Sequence, residues 1–216
     1  MATATSRAIN RRWLVAVATA GLVGAAAAGA AIAPAHRSGS RAENRGAGAG
    51  VLAHGGLASL RPQPAPAAWR HATIASGAAT VSHPPRWTAI PGDSGTVSFA
   101  LRGRDGRYLG YLNVTPRQGE ERPAGWAAFR VRRNAADEDT DVRTLASAEH
   151  VRFAGARGSC VIDDYVSRVG SHAYRELACL VTGAHSSSVF VGATLVPDWP
   201  TLGPVVMRAA SSLVER

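Results

Sequence analysis

The chain has 216 residues, a formal charge of +9 and a pI near 11.0, which allows one domain or one domain with a long tail. All of its basic residues are arginine, and the first 68 positions hold seven of them against the single acid Glu43. The basicity therefore belongs to the tail, which argues against a nucleic-acid-binding domain. Two cysteines are too few for a disulfide-rich scaffold, and no zinc-spaced Cys/His set, Gly-rich phosphate loop or dinucleotide fingerprint is present.

Residues 13–33 form a 21-residue run without a charge, preceded by Arg7, Arg11 and Arg12. A helix of that length just spans a bilayer core. Two readings stay open, a cleaved export signal and a retained single-pass anchor with its N-terminus in the cytoplasm. Both export the rest of the chain. Ala33-Pro34-Ala35 offers a cleavage site, whereas the length of the run and the nearby Arg37 and Arg41 favour retention. Arg11-Arg12-Trp13-Leu14-Val15 resembles a twin-arginine signal, with Asn10 where that pattern prefers Ser or Thr. No cysteine stands near the end of the run, so an anchor through a lipidated cysteine is excluded. The reading for 1–35 is an export signal or membrane anchor.

Residues 36–68, with GAGAG at 46–50 and PQPAPAA at 62–68, lack apolar periodicity and read as a flexible Ala/Gly/Pro/Arg-rich linker. Beyond it lies a domain of 69–216, large enough to bury a core without metals or many cross-links. Ala79 to His83 reads as a short strand stopped by Pro84-Pro85, and Trp87 as a core aromatic. Gly92-Asp93-Ser94-Gly95 matches a serine-protease nucleophile motif but lies only about 25 residues into the domain, and the upstream His71 and His83 have no supporting motif, so it reads as a turn. Thr96 to Leu101 and Tyr108 to Val114 alternate as two strands of a meander, and the sequon at Asn113 falls at a strand end. Pro123 to Arg132 suits an amphipathic helix with Trp126, Phe129 and Arg130 on one face. A polar loop is expected over Asn134 to Asp141, a second short helix over Val142 to His150, and a strand lead-in at Val151 to Phe153. Asp137, Asp139 and Asp141 copy the start of a calcium loop, yet Val142 and Ala148 replace its glycine and glutamate, so the loop reads as solvated acid.

From Gly158 to Gly183 two runs rich in Val, Ile, Tyr and Leu flank Val169-Gly170-Ser171, the pattern of a β-hairpin. Opposing Cys160 to Cys179 sets Ile162 against Leu177 and Asp164 against Arg175 on one face. On the other it sets Val161 against Ala178, Asp163 against Glu176 and Tyr165 against Tyr174, with Ser167 against His172. A slip of one residue would scramble both faces. The cysteines are expected to form a disulfide, as an exported pair does. Ser188 to Val196 reads as a central strand, and Asp198 as the cap of a final helix with Pro200 in its first turn. Leu202, Val205, Val206, Ala209 and Leu213 make that helix's apolar stripe. The fold class is α+β, an antiparallel sheet of five to seven strands with packed helices, preceded by one N-terminal hydrophobic helix.

The segments YLGYLNVTPRQGEE (108–121), GWAAFRVRRN (125–134), RGSCVIDDYVSR (157–168) and YRELACLV (174–181), in that order, resemble a family of exported actinobacterial proteins of unknown function. That family is similar in outline to the PsbP-like fold, an α/β/α sandwich shared by the photosystem II extrinsic subunit P, a Ran-binding import factor and mycobacterial secreted lipoproteins. The resemblance implies a non-catalytic accessory role and brings no catalytic residues with it.

The one cluster with chemical promise is Asp163, Glu176, His172, Tyr165 and Tyr174. Opposed carboxylates repel unless an Arg, a shared proton or a metal lies between them. The plainer reading is a solvent-facing pair neutralised by Arg168 or Arg175. The expected function is thus an exported cell-envelope domain binding an unknown protein, lipid or cell-wall component, touching the membrane through its N-terminal segment if that is uncleaved. The alternative is a hydrolase or metal-dependent enzyme using Asp163 and Glu176. No cofactor, resident metal or catalytic residue is expected.

Overall fold

The computed structural model describes residues 56–216. Residues 1–35, read above as an export signal or anchor, and residues 36–55, read as linker, lie outside the described residues, among which no helix is long and apolar enough to cross a membrane.

The cysteine hairpin is the centre of the architecture. Strands β7 (Ala156–Val166) and β8 (Ala173–Thr182) pair antiparallel with Cys160 opposite Cys179, Asp163 opposite Glu176 and Tyr165 opposite Tyr174. The expected register holds along the whole ladder. The two sulfurs are bonded, and both cysteines are buried. Replacing both by alanine should destabilise the domain by about 3 kcal/mol on the chain-entropy argument, read in urea unfolding as a lower midpoint with a somewhat steeper slope, since the uncrosslinked denatured chain exposes more surface.

Around this hairpin a seven-stranded sheet assembles in the order β3-β4-β5-β9-β8-β7-β6. Its other strands are β3 (Thr88–Ala89), β4 (Val97–Arg102), β5 (Tyr108–Pro116), β6 (Thr140–Phe153) and β9 (Ser187–Leu195). β9 is the middle strand, as its apolar run implies. Between β3 and β4 the Gly92–Gly95 segment is a tight turn, Thr96 N–H donating to the Asp93 carbonyl at 3.0 Å with Gly95 at φ +84°. A second, three-stranded sheet joins β1 (Arg70–Thr73), β2 (Ala79–His83) and β10 (Val214–Glu215).

Period-two alternation sends every other residue to opposite faces. On the cysteine face Cys160, Ile162, Leu177, Cys179, Phe190 and Leu112 form the main core with β2 and helix α2 (Trp199–Ser211). On the other face Val161, Ala178, Leu180, Val189 and Val191 lie beneath helix α1 (Trp126–Ala136). The result is a sheet with a helix on each side. α2 approaches closely because residue 192 is glycine: a Cβ there would sit 2.6 Å from Val206 Cγ1. Of the expected stripe on α2, Val206, Ala209 and Leu213 are buried and Leu202 and Val205 half-buried, with Trp199, Gly203 and Ala210 completing it. Asp198 occupies the cap position but makes no side-chain capping bond.

Three expectations are corrected. Val142 to His150 is not a helix but the middle of β6, an edge strand with register shifts at three places along its pairing with β7. Bulges reset the alternation and leave a spacing that mimics three- and four-residue periodicity. The polar loop begins only at Asp137, because Asn134 extends the buried face of α1 and is itself buried. The domain also starts before Trp69. Leu57 and Leu60, in and after a 3₁₀ turn at Leu57–Ser59, are 6 % exposed in the main core, and Gln63 N–H donates to the Ser211 carbonyl at 2.9 Å. Two leucines in a Pro- and Ala-rich setting carry too little periodicity to be recognised.

Candidate functional site

The face of the hairpin under α1 carries three stacked layers: Val161 with Ala178, Asp163 with Glu176, Tyr165 with Tyr174. α1 runs along them and presents Trp126, Phe129, Arg130 and Asn134 from one side, as three- and four-residue spacing requires. Trp126 stacks on Phe129, with centroids 5.5 Å apart, and its Nε1–H donates to the Ala178 carbonyl at 3.0 Å. One turn later Arg130 meets the acidic layer, its Nε and Nη2 donating to Glu176 Oε1 at 3.1 and 2.5 Å. Beyond it the tyrosines close the far side. Tyr111 and Tyr165 share a hydroxyl hydrogen bond of 2.7 Å, and Tyr174 donates to the Tyr108 carbonyl at 3.0 Å.

Asp163 and Glu176 are thus sealed, with 0 % and 1 % of their surfaces exposed. This corrects the expectation of a solvent-facing pair. The neutralising group is Arg130, 13 % exposed at its side chain, and not Arg168 or Arg175. Arg168 pairs with Glu138 at 3.7 Å. Arg175 grips Asp164 on the cysteine face, Nε to Oδ1 at 2.7 Å and Nη2 to Oδ2 at 3.0 Å, where Arg143 adds a third bond of 2.8 Å. The charge pair expected on that face is present. His172 is not in the cluster: it lies in the β7–β8 turn with its ring against Gly170.

One guanidinium faces two carboxylates, and the imbalance falls on Asp163, neither of whose oxygens has a hydrogen-bond partner. Burial first, and the charge of Glu176 second, push its carboxyl up to about 8, so Asp163 is a neutral acid at pH 7. For Arg130, burial opposes the charge, but the attraction of Glu176 outweighs it and holds the guanidinium above its ordinary value. The pair, the arginine and one proton sum to a neutral core. Burial also raises the hydroxyls of Tyr111 and Tyr165 well above the usual tyrosine range, keeping them protonated. On Asp164 burial acts upward, yet the bonds from Arg175 and Arg143 prevail and hold it below the ordinary range.

Chemically the cluster can hold a proton near neutral pH, but neither carboxylate lines either of two depressions at the end of the sheet, of about 680 and 360 Å³. Among the described residues no group of three or more His, Cys, Asp or Glu could hold a metal ion. In the expected calcium-like segment Asp137 pairs with Arg133 at 3.0 Å and Asp139 accepts the Arg168 backbone N–H at 3.0 Å. Burial raises both aspartates, so this loop is less solvated than expected. Sequence reasoning missed Arg130 as the counterion, although its position four residues after Trp126 on the aromatic face is the available signal.

No family model matches the chain, and no curated protein matches it in sequence. Among solved structures it is similar to a protein of unknown function from Pseudomonas aeruginosa, at 13 % identity and a TM-score of 0.46 over 68 % of this chain and 97 % of the other. It is also similar to the cyanobacterial PsbP of Synechocystis, at 16 % identity and a TM-score of 0.48 over 70 % of this chain and 94 % of the other.

Proposed function

We propose that the protein is an exported cell-envelope accessory domain that binds a ligand or partner and catalyses no reaction. The observation that carries this reading is the closure of the acid/base cluster: Asp163 and Glu176 are buried under α1, balanced by Arg130, and line neither depression. A substrate cannot be worked on by groups it cannot reach. Export is supported by the Cys160–Cys179 disulfide, a bond that persists in oxidising compartments, and by the arginine-flanked apolar run at 13–33. In this reading that run is either a retained anchor or a cleaved signal.

Intact mass on protein from the native host's membrane, medium and cytosolic fractions tests the reading. The expected result is protein in the membrane at full length, or in the medium with a mass beginning near His36, in either case two hydrogens lighter than the reduced form and blind to thiol alkylation. Alkylatable protein confined to the cytosol would overturn it.

A further inference from the structure

The end of the sheet away from the tyrosines carries a second arrangement. Arg152 of β6 is directly opposite Arg157 of β7, Arg157 opposite Thr182 of β8, and Thr182 opposite Ser187 of β9. Arg117, just past β5, continues the row, its backbone N–H donating to the Ser187 carbonyl at 2.9 Å. Residues opposed in an antiparallel ladder project from the same face. Arg152, Arg157, Thr182, Ser187 and Arg117 therefore stand in one line across five strands, about 19 Å long at the usual interstrand spacing. They share the face of α1, six residues from Asp163 on β7 and from Glu176 on β8, but α1 begins at Trp126 over Ala178 and stops short of them. The three arginines and Thr182 are exposed.

Every member of the row lines one of the two depressions, which adjoin at Thr182 and also hold His150 and His185. Like charges placed directly opposite destabilise a sheet. Elsewhere in this sheet Asp164 and Glu176 each have an arginine. Here, among the described residues, no carboxylate forms an ion pair with Arg117, Arg152 or Arg157. Glu121 accepts the backbone N–H groups of Gln118 and Gly119, and Glu215 accepts the hydroxyls of Ser186 and Ser188. Among the described residues the cationic row has no counterion.

We propose that this row is a binding site for a phosphate-bearing anion. The guanidinium fork matches phosphate oxygens bidentately, and the Thr182 hydroxyl, which accepts the Ser187 hydroxyl at 3.2 Å, has its own proton to donate to an oxygen left over. Because the depressions are shallow and open, the ligand presents its phosphate to the surface and is not engulfed. The inference rests on the proposed binding function and gives it a ligand class.

Calorimetric titration of inorganic pyrophosphate into the full chain, held in zwitterionic detergent micelles, tests it. Binding is expected to weaken steeply with added salt and at least tenfold in the double variant Arg152→Gln/Arg157→Gln. That variant should melt no lower than the parent, because it removes a repulsion. Arg104→Gln, an exposed arginine in the β4–β5 turn, should bind as the parent does. Repeating the titration in micelles doped with phosphatidylglycerol separates two sources of the phosphate: loss of pyrophosphate binding identifies a lipid headgroup, and its persistence a soluble phosphate compound. Absence of binding to the parent in undoped micelles, or equal binding by the double variant, overturns the proposal. Intact-mass fractionation is blind to these arginines, so an exported protein that ignores pyrophosphate would sink this inference alone.

Discussion

Replacing Arg130 by methionine is expected to destabilise the domain by about 3–5 kcal/mol, the range for removing one partner of a buried ion pair. Methionine fills much of the same volume, so the loss comes from charge and hydrogen bonding more than from a cavity. Glu176 would keep a buried carboxylate with neither of the two bonds it now accepts from Arg130, and Asp163 opposite it has no partner to lend. Urea melts at pH 7 against Arg132→Met, an exposed position on the same helix, provide the comparison. A loss no larger than at Arg132 would show that Arg130 does not hold the acidic layer. The double variant Arg130→Met/Glu176→Gln should recover a substantial part of the loss, since it removes the stranded charge and contacting residues are not additive.

Asp163→Asn should flatten the pH dependence of stability on the alkaline side and stabilise the protein by a few kcal/mol at pH 8. The unfolded chain releases the Asp163 proton near the ordinary carboxylate value of about 3.9, whereas the folded chain holds it to about 8. Between those limits the native state binds more protons than the unfolded one, so stability falls as pH rises. The contribution of neutral Asp163 is fully present below pH 4 and lost as pH climbs through 8, at up to about 1.4 kcal/mol per pH unit. Asparagine has no proton to lose and stays neutral at every pH in this range. Asp164 has the opposite sign: held below its ordinary value by Arg175 and Arg143, it contributes stability above the carboxylate range that is lost on acidification. Stability curves from pH 4 to 9 decide the matter. Parallel curves for parent and Asp163→Asn would mean that Asp163 is ionised in the native state throughout.

Both effects arise in a cluster only half legible from the sequence. That Asp163 and Glu176 oppose each other follows from the cysteine register, because a period of two leaves no freedom once one pair is fixed. That they are buried does not follow. An alternating strand reads the same whether its polar face meets water or a helix, and α1 is separated from β7 along the chain by the whole of β6. The helix itself is legible, and so is the grouping of Arg130 with Trp126 and Phe129. Its docking across β7, which turns Arg130 into a counterion, is a non-local contact.

The same division runs through the rest of the chain. Local chemistry is enough for the hairpin and its disulfide, the meander of β4 and β5, the turn at Gly92–Gly95, both helices and the central place of β9, since each rests on spacing within a few residues or on one covalent constraint. Long-range packing is needed to make 142–150 an edge strand, where bulges erase the period, and to bring Leu57 and Leu60 into the core, where two side chains suffice once a surface exists to receive them. Packing also sets Arg117, Arg152 and Arg157 in one row. Arg152 and Arg157 are joined by a single turn, but Arg117 reaches them through β9 and β8, and strand order across a sheet is fixed by contacts between distant segments, which no local pattern encodes.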